Sequence, residues 1–128
     1  MKEGEEIIAV YTKKEDIQII IEKFKKYSFK ELKKRDHYYF SLYAKNTDEK
    51  DIIHMYPHFE KIELIMKRKR RDGRVNYDIF YEKDDGTFIV YAIHLDTIPP
   101  WLINAYPTNR NFKLFKKFVI KKYWKQMI

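Results

Sequence analysis

Two Asp-Gly pairs, Asp72-Gly73 and Asp85-Gly86, separate three segments of strand-forming residues and leave the middle of this chain few folds to adopt. The first segment is Ile62 to Arg70, the second Val75 to Tyr81 and the third Thr87 to Ile93, the last two rich in β-branched and aromatic side chains. After a break at Thr97-Ile98-Pro99-Pro100, Trp101 to Tyr106 resumes the pattern, so residues 62–108 are expected to form a four-stranded antiparallel meander. Asp-Gly favours two-residue type I′ turns, because both central residues take positive φ there. Such turns set Arg71 against Arg74, Arg68 against Tyr77, Tyr81 against Val90 and Tyr77 against His94.

Side chains alternate faces along a strand. With that register one face carries Leu64, Met66, Ile79, Tyr81, Phe88, Val90 and Ala92, and ends in a row of Arg68, Tyr77 and His94. The other carries Ile65, Phe80, Ile89, Tyr91 and Ile93. An apolar floor ending in a guanidinium, a phenol and an imidazole suits an anionic ligand; equally, the three form a polar cluster at the solvated end of a sheet. A sheet with two apolar faces needs cover on both. The C-terminal helix is expected on one and the N-terminal helices on the other, an α+β sandwich.

The covering elements have their own signals. Ile7 to Tyr11 reads as a short strand. Thr12 and Glu15 have capping-box spacing, ahead of Ile17, Ile20, Ile21 and Phe24 at helical intervals. Ser28 and Glu31 repeat the box and open a helix to about Ala44, with Phe29, Leu32, Tyr39, Phe40 and Tyr43 on its apolar side. Asn46 and Glu49 signal a third helix, from Asp48 to Phe59, disturbed near Pro57. Asn109 or Asn111 caps a last helix to about Trp124, in which Phe112, Phe115, Val119 and Tyr123 form a stripe widened by Leu114, Phe118 and Ile120.

At 128 residues the chain is one domain, residues 1–128, large enough for a core without cross-links. It has no cysteine, which excludes disulfides, thiolate metal sites and cysteine nucleophiles. His54 and His58 are four apart, but Pro57 lies between them and no Glu follows His54, so no metal site is expected, nor any cofactor. The net charge of +8 and an aromatic content of 17% suit a polyanion whose bases stack on rings. On the last helix Lys113, Lys117 and Lys121 recur at four-residue intervals, either as a solvated face or as a ridge tracking phosphates. No spanning segment and no apolar leader is visible, so a soluble, cytoplasmic protein without membrane partners is expected.

Three local words go further: Asp36-His37 on the helix before the meander, the basic run Lys67 to Arg74, and Asn104-Ala105-Tyr106-Pro107-Thr108 closing the last strand. Together, over roughly Arg35 to Thr108, they resemble the phage- and mobile-element-associated small nucleases of the barnase–EndoU–colicin–RelE superfamily. The resemblance implies a metal-independent endoribonuclease, plausible as a toxin of a toxin–antitoxin or phage-defence system. In that chemistry a ribose 2′-hydroxyl loses its proton and attacks the adjacent phosphate, and an acid protonates the leaving 5′-oxygen. By position His37 becomes the acid/base, Arg68 or Arg70 the phosphate clamp, and Thr108 or Tyr106 a hydrogen-bond donor to phosphate, with Tyr77 and His94 added from the register. Ser41 departs from the pattern, standing where relatives often carry a second basic residue. The implied partners are RNA and an acidic antitoxin or other acidic protein. The alternative is a basic nucleic-acid-binding or protein-interaction module without chemistry, using Arg70, Lys113, Lys117 and Lys121.

Overall fold

A computed structural model describes residues 4–128. Its strands are β1 (Glu6–Tyr11), β2 (Ile62–Lys69), β3 (Val75–Glu82), β4 (Phe88–His94) and β5 (Trp101–Pro107). They form one five-stranded antiparallel sheet whose order is the order of the chain. The expected meander is β2 to β5, and the N-terminal strand adds to it beside β2.

Both Asp-Gly turns differ from the expected type. Arg70 N–H donates to Arg74 O at 2.7 Å and Gly73 N–H to Arg70 O at 2.9 Å, closing a loop of three residues, Arg71-Asp72-Gly73. The second turn repeats this, with Lys83 N–H to Thr87 O at 2.8 Å and Gly86 N–H to Lys83 O at 3.0 Å around Asp84-Asp85-Gly86. Gly73 and Gly86 close the loops with φ of 88° and 87°, the left-handed conformation in which a three-residue hairpin ends. Each turn is also held from its Asp: Asp72 Oδ1 accepts from Arg74 N–H, and Asp85 Oδ1 from Thr87 N–H.

One extra loop residue shifts pairing by one, which moves every side chain of the affected strand to the other face. Observed partners are Lys67 with Tyr77, Arg68 with Asn76, Asp78 with Ala92 and Tyr81 with Ile89. The two shifts compensate between β2 and β4, so only β3 is inverted. Tyr77, Ile79 and Tyr81 join Ile65, Ile89, Tyr91 and Ile93 in one core; Phe80 joins Leu64, Met66, Phe88 and Val90 in the other.

Helices α1 (Lys14–Ile21), α2 (Asp36–Ala44) and α3 (Glu49–Met55) cover the first face, and α4 (Phe112–Lys122) the second, as the two apolar faces required. Ile17, Ile20, Ile21 and Phe24 are buried as expected, although Thr12 does not cap: Lys13 holds the N-cap position without a side-chain bond. The Ser28–Glu31 box forms, yet it opens only a single 3-10 turn, Phe29–Glu31. The chain then straightens, because Lys33 is bound to β5, its N–H donating to Pro100 O and its O accepting from Leu102 N–H. Helix α2 therefore starts late and is rotated from the expected setting. Tyr38 and Ser41 point inward, while Tyr39, Phe40 and Tyr43 are exposed, Tyr43 by 86%. Asp48 caps α3, which ends before Pro57, and Asn111 caps α4 by accepting from Leu114 N–H at 3.0 Å. On α4 the stripe of Phe112, Phe115, Val119 and Tyr123 packs inward, but Leu114, Phe118 and Ile120 remain exposed.

Both edges of the sheet carry a second piece of backbone. Lys33 bridges to Trp101 at the β5 edge, and Met127 bridges to Val10 at the β1 edge, with Ile128 N–H donating to Val10 O.

Candidate active-site recess

Helix α4 covers the second face only toward the Gly86 end, as Phe112 N–H bonds to Gly86 O. Toward the Gly73 end the face is open, and there the rows become polar. A recess of about 180 Å³ brings together His37 from α2, Arg70 and Arg74 beside the first turn, Asn76 from β3, His94 from β4 and Trp101 from β5. The Lys33 bridge places the start of α2 over Trp101, which delivers His37 to this recess. Arg35, one residue before α2, lies over the Trp101 ring at 4.4 Å, and Arg74 lies 5.5 Å from the same ring.

Each polar group here has a reason for its orientation. His94 is buried and its Nδ1 lies 2.9 Å from Val75 O. A carbonyl oxygen only accepts, so Nδ1 carries the hydrogen and the lone pair of the neutral ring is on Nε2. The Trp101 ring meets the imidazole edge-on, 81° between planes. Buried Asn76, with its amide turned to satisfy both neighbours, accepts from Arg70 Nη1 at 3.1 Å and donates to Val75 O at 3.3 Å. Arg74 is oriented from the turn, its Nε and Nη2 bonding Asp72 Oδ2 at 2.8 and 2.7 Å. The recess thus holds an imidazole with a defined tautomer, a second imidazole on an exposed helical turn, and two guanidiniums braced by neighbours.

Of the residues expected in a site, His37, His94 and Arg70 meet here. Arg68, Tyr77 and Thr108 do not. The row expected as Arg68, Tyr77 and His94 contains Asn76 in place of Tyr77, because β3 is inverted; Tyr77 is buried on the opposite face. Arg68 is engaged as a structural ion pair. Its Nε and Nη2 donate to Asp78 Oδ2 at 3.0 and 2.7 Å, and Glu5 lies 3.8 Å from Nη1. Burial lifts the Asp78 carboxyl above its ordinary range, against the pull of Arg68, and burial likewise works against the Arg68 charge, which Asp78 more than restores. The Thr108 hydroxyl donates to Phe88 O at 3.3 Å, beside its own N–H to the same oxygen, and so helps close the sheet after β5. Lys113, Lys117 and Lys121 are exposed on α4 and line neither this recess nor the one beneath that helix. Among the described residues no group of three or more His, Cys, Asp or Glu is placed to hold a metal ion, and no helix is long and apolar enough to cross a membrane.

Arg35, Asn76 and Trp101 were not expected at the site, and Arg74 only as the end of the basic run. A usable signal existed for the β3 residues: Asn76 and Asp78 alternate with Tyr77, Ile79 and Tyr81, and an acidic partner for Arg68 requires Asp78 on its face. No family model, curated protein or solved structure matches the chain.

Proposed function

We propose that the protein is a small endoribonuclease that cleaves RNA by attack of a 2′-hydroxyl on the adjacent phosphate. The single observation that carries this reading is the meeting of two imidazoles and two guanidiniums in one recess, from α2, β4 and the turn between β2 and β3. His94 acts as base: its Nε2 takes the proton of the 2′-hydroxyl while Nδ1–H stays on Val75 O. The 2′-oxygen bonds to phosphorus, the bond from phosphorus to the 5′-oxygen breaks, and protonated His37 supplies the proton to that leaving oxygen. The products are a 2′,3′-cyclic phosphate and a 5′-hydroxyl. Arg70 and Arg74 balance the charge that gathers on the phosphoryl oxygens, the term that contributes most in reactions of this kind. They also supply the positive charge that Ser41 does not, since Ser41 is buried within α2. The resemblance of Asp36-His37 and the Lys67–Arg74 run to the barnase–EndoU–colicin–RelE superfamily agrees with this chemistry, and an acidic antitoxin would suit the +8 charge.

The test is cleavage of several RNAs in EDTA by the wild type, His37→Ala and His94→Ala. Activity in chelator with a loss of about 10²- to 10⁴-fold in each variant is expected for a general acid and base. Intact RNA at micromolar protein, or variants as active as the wild type, refutes it.

A further inference from the structure

A second recess, of about 440 Å³, opens on the same face between α4 and the sheet. Its polar end is the Arg68–Asp78 pair, and Asp78 is the next residue after Asn76 on this face of β3. Same-face neighbours on a strand are about 7 Å apart, so the recesses adjoin. Helix α2, packed along β5, reaches round to both: His37 lines the first, and Lys45, just past the helix end, lies 4.6 Å over the ring of Tyr106, which lines the second.

Resting on the ribonuclease reading above, we infer that this second recess holds the base of a nucleotide adjoining the scissile phosphate. Tyr106, Phe115 and Phe118 supply rings to its walls, and Phe118 remains 53% exposed although its neighbour Val119 is packed away. Cations lie against these rings: Arg110 over Phe115 at 4.8 Å, Lys122 between Phe118 and Tyr123 at 5.6 and 5.4 Å, and Lys45, from beyond the lining, over Tyr106. A flat aromatic ligand slides between such rings, and a phosphate attached to it meets the cations. The inner end selects a polar heterocycle over a hydrocarbon. Both Arg68 bonds terminate on Asp78 Oδ2, so Oδ1 retains lone pairs for an N–H of a base, and the guanidinium offers donors to a ring nitrogen or carbonyl. A hydrocarbon ligand would cover this pair without compensating it, which is unfavourable. Charge also disfavours an acidic carboxylate ligand at the inner end, where Asp78 already stands.

The experiment uses the full chain and needs no turnover. The four ribonucleoside 5′-monophosphates, ribose 5-phosphate and inorganic phosphate are titrated by calorimetry, with chemical-shift mapping of the Tyr106 and Phe118 neighbourhood. Nucleotides are expected to bind at least tenfold more tightly than ribose 5-phosphate. Phe118→Ala, an exposed ring whose loss spares the core, is expected to weaken nucleotides by about tenfold while leaving inorganic phosphate unchanged. Leu114→Ala, an exposed side chain of the same helix outside the recess, should change neither. Equal affinity for nucleotides and ribose 5-phosphate overturns the base site, as does an unaltered nucleotide affinity in both Phe118→Ala and Tyr106→Ala. Nucleotide binding here without RNA cleavage keeps the base site and refutes the nuclease; RNA cleavage with no base preference in binding does the reverse.

Discussion

Replacing Asp78 by Asn keeps the shape of the side chain and removes the nearer of the two carboxylates that face Arg68 among the described residues. Two charge-assisted bonds, at 2.7 and 3.0 Å, lose the carboxylate, and Glu5 at 3.8 Å is too distant to replace it. Breaking a fully buried pair from one side costs about 3–5 kcal/mol. Here the side chains are 26% and 11% exposed, so solvent screening reduces the expected loss to about 2–3 kcal/mol. A chain of 128 residues unfolds with an entropy of about 270 cal/mol/K, which converts that loss to a Tm lower by about 7–11 °C. Arg68→Met breaks the pair from the other side but behaves differently with pH. The guanidinium cannot shed its charge, whereas the carboxyl can, and burial already pushes Asp78 upward. Without Arg68 the native state binds that proton more tightly than the unfolded chain does, so between the unfolded and folded values the native state carries more protons. Stability of Arg68→Met is then fully present below the unfolded value and is lost as pH rises, by up to about 1.4 kcal/mol per pH unit. Urea denaturation followed by circular dichroism, at pH 5 and pH 7, measures both effects. The expected outcome is a deficit relative to wild type that shrinks at pH 5 in Arg68→Met alone, and a double variant less destabilised than the sum of the singles. Losses below about 0.5 kcal/mol in both single variants, or an Arg68→Met deficit indifferent to pH, would refute the reasoning.

Alkaline solution should unfold the protein cooperatively. Burial raises the phenols of Tyr38, Tyr56, Tyr81 and Tyr91 above their ordinary value. The unfolded chain releases these protons first, and stability falls above about pH 10 by up to 1.4 kcal/mol per pH unit for each; tyrosinate absorbance should rise together with loss of circular dichroism. Tyr91→Phe removes the 2.5 Å donor from Ile52 O, which keeps the Tyr56 N–H at 3.2 Å, and is expected to cost about 0.5–1.5 kcal/mol by urea denaturation. Gly73→Ala and Gly86→Ala force a side chain into φ near 88°, each expected to lose about 1–2 kcal/mol. By contrast Phe40→Ser and Tyr43→Ser, on exposed rings of α2, should leave the urea midpoint within about 0.5 kcal/mol of wild type.

Strand positions, the two-sided covering of the sheet and the cap at Asn111 were legible because each follows from local pattern. The register was not, although the decisive residues were in view. An Asp-Gly pair fits both a two-residue turn, with Asp at its first central position, and a three-residue loop ending in Gly; Arg71 and Asp84 enter the loops here. That single residue exchanged Tyr77 for Asn76 in the polar row and set Asp78 against Arg68. His37 and His94 were both readable as candidates, one from its motif and one from its strand end. Their meeting depended on Lys33 binding β5, a backbone contact that no side-chain pattern encodes. The exposed rings of α2 were misread for the same reason: amphipathic spacing does not say how far a neighbouring strand will turn the helix.

The short bridges at the two rims of the sheet bear on the molecule's behaviour in a crowded solution. Outermost strands with open hydrogen-bonding groups invite another chain to dock and propagate into fibrils. Here one rim is occupied at Trp101 by the stretch leading into a helix, and the other at Val10 by Met127 and Ile128. Removing Met127 and Ile128 would uncover the Val10 carbonyl and leave that rim open to pairing with another strand.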